Sequence, residues 1–537
     1  MSTTRTWSSI RGTLPPASVI RRRVSFLFRP RPDLLLVLLT VSAAPRAGAQ
    51  FGLVQLPLDD PAYVQLAALE HMGCAEARVS PRRPYTVHAV RAALTLARDV
   101  RACRGPILDA LSRRFAFREA DAHSGLRGGG EATLRATGLT GGEFEPLWND
   151  IRPTNQGDPT AVGIVHGRLT WGDGSADQVV AVGDAYAQTG SRNDPTVRAR
   201  EFRHTSGVFD IGEAYLSGRI GPFEGTIGRG EEAWLGEGRE SLFLSANGPP
   251  MDRMTASVST HDFEARVLLG SLDDVVLDST QDNIVGTQSI QRYYRYLAAG
   301  AVTWRPNRVV EATIGTLAIL PSASTALDLF YVNPFSPYPD TTRKLVNVTD
   351  HVETFGGLRV RAGVATFDGE LLADQQLKSD HIGYLFTATT PLPTHIPVSL
   401  DATFEHIGRE TYTSQYYASV PEHYGVPLGS VLGPDAELGQ IGAEVFVAGP
   451  LRVAGDIGIW RRGRVRIDER PAQPSSGPDT PEQRATIGDL TIQFLTPVVP
   501  VTIRFSGATV TNANNVASPS SSYGQTQIIA SYAFRYP

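Results

Sequence analysis

The sequence predicts a mainly β fold, in which a large transmembrane antiparallel β-barrel follows a small N-terminal α-helical bundle. Three observations support this fold: a secretory-type leader, a region of 378 residues, Thr160–Pro537, with alternating apolar and polar residues, and an aromatic-rich final strand. The chain is expected to divide into four parts. These are a signal peptide over 1–49, a periplasmic helical bundle or cap over 50–125, a linker or entry to the barrel over 126–159, and the barrel over 160–537.

The N-terminal segment has the three parts of a secretory signal. Arg21, Arg22 and Arg23 precede an apolar run over Leu34–Ala44, and Ala47-Gly48-Ala49 forms a small-x-small cleavage pattern. The run of 11 residues is too short to cross a bilayer as a helix, which argues against an N-terminal anchor. We expect cleavage after Ala49 and export to the outer membrane.

The mature chain is acidic. Removal of residues 1–49 leaves 42 of the 50 basic residues and 54 of the 55 acidic ones, a net charge of −12. Phosphate binding needs a basic surface, so this balance argues against a nucleic-acid partner.

Two cysteines, Cys74 and Cys103, have 28 residues between them. In an oxidising periplasm a disulfide between them would stabilise this region by roughly 3–4 kcal/mol on the chain-entropy model; two buried thiols are the alternative. A pair of cysteines without clustered histidines does not favour zinc. The sequence predicts no metal site and no cofactor.

Helical periodicity runs from Asp59 to about His123. Acidic residues and an early proline open the first segment at Asp59-Asp60-Pro61, and Pro84 and Pro106 start the second and third. Three amphipathic helices of this length predict a small bundle, or a cap packed on a larger body.

Alternation with a period of two marks the β region. In Val398–Glu405, for example, Leu400 and Phe404 fall on one face and Asp401 and Glu405 on the other. Alternation alone also fits a soluble sandwich. Charged residues opposite the apolar face favour a barrel, because a water-filled lumen accepts them and a dry sandwich core does not.

The length of the region and its connections also favour a barrel. At roughly 20 residues per strand and connection, it holds on the order of 16–18 strands. The polar connections Leu272–Gln291, Pro334–Arg343, Thr411–Ala436 and Pro471–Gln483 are long, whereas Ala448–Pro450 and Val498–Pro500 are tight turns. Long loops on one side and short turns on the other are typical of outer-membrane barrels.

The last strand carries Ile528, Ala530, Tyr532, Phe534 and Tyr536 on one face. This pattern resembles the C-terminal signal read by the barrel-assembly machinery, although Pro537 stands after the final aromatic residue. The machinery is therefore an expected partner during biogenesis, together with outer-membrane lipid.

The sequence carries no hydrolase signature, no phosphate-binding loop and no dinucleotide fingerprint. The carboxylates Glu231, Glu232, Glu237 and Glu240 could be arranged as a glycosidase pair, but lumenal or loop charges explain them better. We therefore predict that the protein is not an enzyme.

Three clusters, in this order along the chain, carry a resemblance to a known family: Asp59–Tyr63 with Arg83–Thr86, Ile227–Arg229 with Trp234–Gly238 and Ser241–Pro250, and His423–Gly429 with Leu432–Ala436. Together they resemble the capsule-assembly Wzi family of outer-membrane proteins over essentially the whole mature chain. The resemblance implies a barrel of about 18 strands with its helical bundle at the periplasmic end. It also implies a lectin that holds or organises capsular polysaccharide. Glu237 departs from the family pattern, in which proline is expected.

Amphipathic aromatic rings stack on sugar rings, and arginines bind carboxylates of acidic sugars in two-pronged fashion. The candidate polysaccharide-binding residues are Arg229, Trp234, Arg239, Arg409, Tyr416, Tyr417, Tyr424 and Trp460. The alternative for each is an interfacial aromatic girdle or a pair with a neighbouring acid. The motif residues expected to fix loop backbone are Gly236, Gly238, Asn247, Pro249, Pro250, His423, Gly425, Gly429 and Asp435.

Three functions follow from these patterns. The preferred one is non-enzymatic binding of capsular or other surface polysaccharide. The alternative is a porin or substrate-specific diffusion channel, which would conduct ions. An outer-membrane enzyme is the third, for which the sequence offers no nucleophile and base.

Overall fold

A computed structural model describes residues 51–117, 123–140, 160–173, 178–189, 207–236, 241–277, 291–322, 351–374, 378–392, 394, 396–414, 416–448, 450–465, 481–496 and 499–536. The leader, and with it the predicted cleavage after Ala49, lies outside these residues. Among the described residues, no helix is long and apolar enough to cross a membrane.

Three helices form the N-terminal domain: α1 Pro61–His71, α2 Val87–Arg98 and α3 Pro106–Arg114. The Asp60 carboxylate caps α1 by accepting a hydrogen bond from the Ala62 N–H at 2.8 Å, and the Thr86 hydroxyl caps α2. The second helix therefore begins at Val87, three residues after the predicted Pro84, because the cap residue is Thr86. A disulfide links Cys74 to Cys103, beside the core of this domain.

Eighteen long strands follow. They are β1 Gly125–Thr140, β2 Thr160–Gly172, β3 Val179–Thr189, β4 Gly207–Ile220, β5 Phe223–Gly230, β6 Met251–Ser259, β7 Phe263–Ser271, β8 Gln291–Trp304, β9 Val310–Ser322, β10 His351–Ala362, β11 Ala365–Asp374, β12 Ile382–Pro391, β13 Val398–Ile407, β14 Ala436–Ala448, β15 Leu451–Arg462, β16 Gln483–Phe494, β17 Val501–Thr511 and β18 Ser521–Tyr536. Short strands occur at Arg82–Arg83, Ala233–Trp234, Val275–Leu277, Glu422–His423 and Val426–Pro427.

The long strands form one closed antiparallel barrel. Each pairs with its neighbour in the chain, and β18 pairs with both β17 and β1. The predicted fold class is confirmed. The barrel begins at Gly125, the last residue of the predicted cap, and β1 occupies the start of the segment over 126–159. The run Gly128–Gly130 lacks the side-chain alternation that marks a strand, yet it pairs with Tyr536, Arg535 and Phe534.

The two faces of the wall follow the alternation in the sequence. On β13, Leu400 and Phe404 are exposed on the outer face, whereas Ser399, Thr403 and Glu405 are buried inside. Exposed apolar side chains recur around the outer wall, among them Ile314, Leu358, Ile441, Ile459 and Ile528. An outward apolar band of this kind is what a membrane-spanning barrel requires.

The two rims of the barrel differ in their connections. At one rim, which we call the turn end, each connection has at most six residues, as between β10 and β11 or between β14 and β15. At the other rim, the loop end, connections have seven or more residues, and the longest join β9 to β10 and β13 to β14.

Candidate functional site

The N-terminal domain lies in the barrel mouth at the turn end. The Arg82 guanidinium donates to the Thr303 hydroxyl at 2.7 Å and pairs with Glu264 at 3.3 Å, and Arg78 pairs with Glu311 at 2.8 Å. Burial lowers the pKa of Arg82 to about 10, so it remains charged at neutral pH. These contacts attach the domain to the inner face of the wall.

A second group of contacts fastens α1. Glu70 is buried and pairs with Arg359 at 2.6 Å and with Arg361. The apolar core of the domain also includes Phe446 and Leu495, which stand beside turns of the barrel. The helical domain is thus packed on the turn end by both ion pairs and apolar contact.

The described residues between β5 and β6, 231–236 and 241–250, fold into the lumen; we call them the inner segment. Trp234 pairs in register with Arg82, and the Leu235 N–H donates to the Pro81 carbonyl at 2.7 Å. On the wall side, the Leu242 N–H donates to the Glu370 carboxylate at 2.9 Å. The inner segment therefore joins the helical domain to the barrel wall.

Glu232 is the charged centre of the inner segment. It is 3% exposed, pairs with Arg253 and, at 2.7 Å, with Arg266, and accepts a hydrogen bond from Trp234 Nε1 at 3.0 Å. These contacts attach Glu232 to two strands of the wall, β6 through Arg253 and β7 through Arg266. Glu231 is partly buried, and burial followed by the charges of Asp59 and Glu213 raises its pKa to about 8.

The described residues between β13 and β14, 408–414 and 416–435, also turn inward; we call them the inward loop. Arg295 on β8 is 1% exposed and donates to three backbone carbonyls of this loop, those of Ala418 at 2.9 Å, of Glu422 at 3.0 Å and of Val420. One guanidinium thus holds a turn of the loop against the inner wall.

Asp273 completes this attachment. Its carboxylate accepts from the Tyr424 N–H at 2.9 Å and pairs with Arg295 at 3.3 Å, and its own N–H donates to His423 Nδ1 at 3.0 Å. Burial alone would raise the pKa of Asp273, but the charge of Arg295 and the hydrogen bond from the Tyr424 N–H help to lower it. The carboxylate is therefore ionised at neutral pH.

The inner segment and the inward loop meet in the lumen. The Ser245 N–H donates to the Leu428 carbonyl at 2.7 Å, and the Tyr412 hydroxyl donates to the Leu242 carbonyl. Burial raises the pKa of Tyr412 well above its ordinary value, so the hydroxyl keeps the proton that this bond needs. Gly429 packs so closely on Leu242 that a Cβ would clash with its carbonyl oxygen.

An apolar cluster fills the space around this junction. It contains Leu242, Phe243 and Leu244 of the inner segment, Leu428 and Leu432 of the inward loop, and inward side chains of the wall. The phenyl rings of Phe243 and Phe355 stack, with their centroids 3.4 Å apart. The interior at this level is therefore packed protein, whereas the sequence predicts a water-filled lumen; loops that fold inward leave no local trace in the alternation of the strands.

Two predicted stacking residues prove to be core residues. Trp234 and Trp460 are both 0% exposed; Trp234 packs between Phe243 and the Arg82 guanidinium, and Trp460 lies in the apolar cluster of the lumen. Neither ring offers a face to a sugar, so their prediction as binding residues is wrong. The inward folding of the two loops is the reason.

Arg229 lies on the outer wall. It stands opposite Asp252 in register and pairs with it at 3.4 Å, and Asp252 alternates with the inward residues Met251 and Arg253. Arg229 is thus paired with a neighbouring acid on the outer wall, the alternative given for it above, and its role in polysaccharide binding stays a prediction. Arg239 and Gly238 lie outside the described residues.

The other predicted binding residues share the inward loop. Tyr416, Tyr417, Tyr424 and Arg409 are all partly exposed. Tyr417 packs beside Tyr293 and Ala418, and the Tyr424 ring contacts the His423 imidazole at a centroid distance of 4.5 Å. The structure thus brings three tyrosines to one loop at the loop end; we call Tyr416, Tyr417 and Tyr424 the tyrosine patch.

Several motif residues occupy strained or bridging backbone positions. Gly236 and Gly425 have positive φ values of 53° and 75°, which favour glycine. Asp435 has φ 57°, and its carboxylate accepts from the Arg464 N–H at 2.6 Å, so it joins two connections at the loop end. Asn247 donates to the Ser245 hydroxyl, and the inner segment reaches β6 through Pro249 and Pro250.

Two residues that hold the inward loop, Arg295 and Asp273, were not predicted from the sequence. Nor was a cluster of metal-ligand side chains, formed by His351, Glu353 and Asp374. Arg295 lies in the run Tyr293–Tyr296. An arginine among tyrosines on the lumen face is the feature of the sequence that could have indicated its role. The histidine cluster has no such feature, because its members lie on two strands.

No model of a known protein family matches the chain, and no curated protein is significantly similar to it. Among solved structures, it is similar to Wzi of Escherichia coli, reported as an outer membrane protein involved in group 1 capsule assembly and a carbohydrate-binding β-barrel. The TM-score is 0.59 at 12% identity, over 89% of this chain and 98% of that one.

Two structures from Pseudomonas aeruginosa are more distant. OpdQ gives a TM-score of 0.44 at 10% identity, over 77% of this chain and 98% of that one. OccD3 gives 0.44 at 9% identity, over 78% and 94%. At the level of fold, the chain is a closed 18-stranded barrel similar in architecture to Wzi.

Proposed function

We propose that the protein is exported and spans the outer membrane, with the turn end and its helical domain in the periplasm. Three features support this orientation: the leader with its cleavage pattern, the outward apolar band, and short turns opposite long loops. Outer-membrane lipid is then the solvent of the outer wall, and the barrel-assembly machinery is its partner during insertion.

At the loop end, the proposed function is non-enzymatic binding of surface polysaccharide, in a role similar to the capsule assembly reported for Wzi. The observation that carries it is the filled lumen. The helical domain, the inner segment and the inward loop follow one another from rim to rim through direct hydrogen bonds. A lumen occupied in this way suits a surface that binds better than a pore that conducts.

The tyrosine patch is the proposed contact with sugar rings. Its members are partly exposed and sit on a loop held by Arg295 and Asp273, so little loop entropy is lost when a ligand binds. Tyrosine combines an apolar face with a polar hydroxyl, which suits a sugar. Arg409, at the start of the same loop, would bind the carboxylate of an acidic polysaccharide.

The test is binding of the purified, folded barrel to polysaccharide from the surface of the bacterium that makes it. Replacement of Tyr417 or Tyr424 by alanine should weaken binding by about three- to tenfold each, as expected for the loss of one stacked ring. The matched control is Tyr384→Ala, since Tyr384 is a tyrosine 41% exposed on the outer wall. Absence of binding, or an equal loss in the control, would refute the proposal.

A further inference from the structure

His351, Glu353 and Asp374 form a cluster inside the wall at the loop end. His351 begins β10, Glu353 follows on the same face, and Asp374 ends β11 directly opposite Glu353 in register. Their exposed fractions are 0%, 1% and 0%. The cluster shares no residue with the tyrosine patch.

The ligand-type atoms of the three side chains converge. His351 Nε2 lies 3.2 Å from Glu353 Oε1 and 3.3 Å from Asp374 Oδ1, and one ligand atom from each residue falls within 4.8 Å of the others. Ligands about 2.0–2.1 Å from a tetrahedral zinc ion are separated by about 3.3 Å. The two measured separations fit such an edge.

The two carboxylate oxygens of Asp374 have different surroundings. The Tyr412 N–H donates to its Oδ2 at 2.7 Å, whereas Oδ1 has no hydrogen-bond donor among the described residues. That oxygen is fully buried and lies beside His351 Nε2. A buried carboxylate oxygen without a donor is costly, so something positive is expected at this point.

The charges of the three side chains also favour a bound cation. Two buried carboxylates, those of Glu353 and Asp374, face the His351 imidazole. Among the described residues, no arginine or lysine forms an ion pair with either carboxylate. A divalent cation would balance both charges, whereas a protonated imidazole balances one.

We propose that His351, Glu353 and Asp374 bind a divalent transition-metal ion of the zinc class. One nitrogen and two oxygen ligands suit zinc or manganese better than calcium, which prefers oxygen alone. The Tyr412 N–H then acts as the outer contact that orients Asp374, and it connects the ion to the inward loop. This inference does not depend on polysaccharide binding.

The experiment uses the folded full-length mature protein, stripped with a chelator and reloaded with zinc before metal analysis. We expect about one zinc ion per barrel, with imidazole and oxygen ligands in the X-ray absorption spectrum. Asp374→Asn and His351→Gln should each lower zinc affinity at least tenfold. Glu405→Gln, which removes another buried inward carboxylate, is the matched control and should bind normally.

Folding of each variant is checked by its heat-dependent mobility on gels. If the ligand variants fail to fold, the titration and spectrum of the unaltered protein decide. Folded protein that binds less than a tenth of an equivalent of zinc would overturn the proposal, as would a spectrum without imidazole. An equal loss in Glu405→Gln would also overturn it.

Discussion

Glu232 illustrates how single residues hold the interior together. Its carboxylate is shared by Arg253 and Arg266, and all three lie in the lumen wall or against it. Such a buried network adds little net stability over an apolar one, but its disruption leaves charges buried without a partner.

Glu232→Gln should therefore destabilise the folded barrel by about 3–5 kcal/mol, because two buried guanidinium groups lose their common partner. The free energy of unfolding in urea measures this. Asp262→Asn is the control, since Asp262 is half-exposed and pairs with the exposed His261; it should cost about 0.5 kcal/mol or less. A change in Glu232→Gln as small as the control would contradict the structural role.

Glu231 predicts a dependence on pH. Its pKa is about 8 in the folded protein against an ordinary 4.5, so the folded state keeps a proton that the unfolded state releases. Stability contributed by this group is thus full below pH 4.5, falls as the pH rises toward 8, and is constant above. Glu231→Gln should raise the free energy of unfolding at pH 8.5 by on the order of 1–3 kcal/mol, since Glu231 stays partly exposed, and leave it unchanged at pH 4. An equal effect at both pH values would contradict this.

At the scale of elements, the inward loop depends on Arg295. Its three hydrogen bonds reach Ala418, Val420 and Glu422, and each bond from a charged donor contributes roughly 1.5–3 kcal/mol. Arg295→Met should release the loop and raise its rate of proteolytic cleavage at least tenfold. Arg292→Met, at the exposed neighbouring arginine that pairs with Asp274, should leave the rate unchanged. Equal cleavage of both variants would show that the loop is held by other contacts.

Elements were predictable from sequence where a local pattern reports them. Val398–Glu405 lies within β13 with its faces as predicted, because an apolar outer face and a polar inner face impose a period of two. Pro106 opens α3 as expected. For Gly125–Thr140 the sequence left a linker and the entry to the barrel as alternatives, because the glycines at 128–130 carry no side chains to alternate.

Residues inside the lumen were less predictable. Trp234 and Trp460 have aromatic rings of the kind that stack on sugars. Whether such a ring faces solvent depends on loops that fold back from far along the chain. The same holds for Arg295, whose partners in the inward loop lie more than 120 residues away. Local sequence gives the strand and the face, and tertiary packing decides what covers that face.

At the scale of the whole molecule, the barrel is occupied by its own chain. The helical domain fills the turn end through Arg82, Arg78 and Glu70, and the inner segment continues this packing to the inward loop. An empty barrel of 18 strands would enclose an aqueous channel. Here the interior residues contact the described parts of the chain inside the barrel instead.

The conductance of single barrels in planar lipid bilayers tests this occupied lumen most directly. We expect the unaltered protein to be nearly silent at neutral pH, because the helical domain, the inner segment and the inward loop fill the path between the two rims. A steady open conductance of the size given by an unplugged barrel with as many strands would contradict it and favour a diffusion channel.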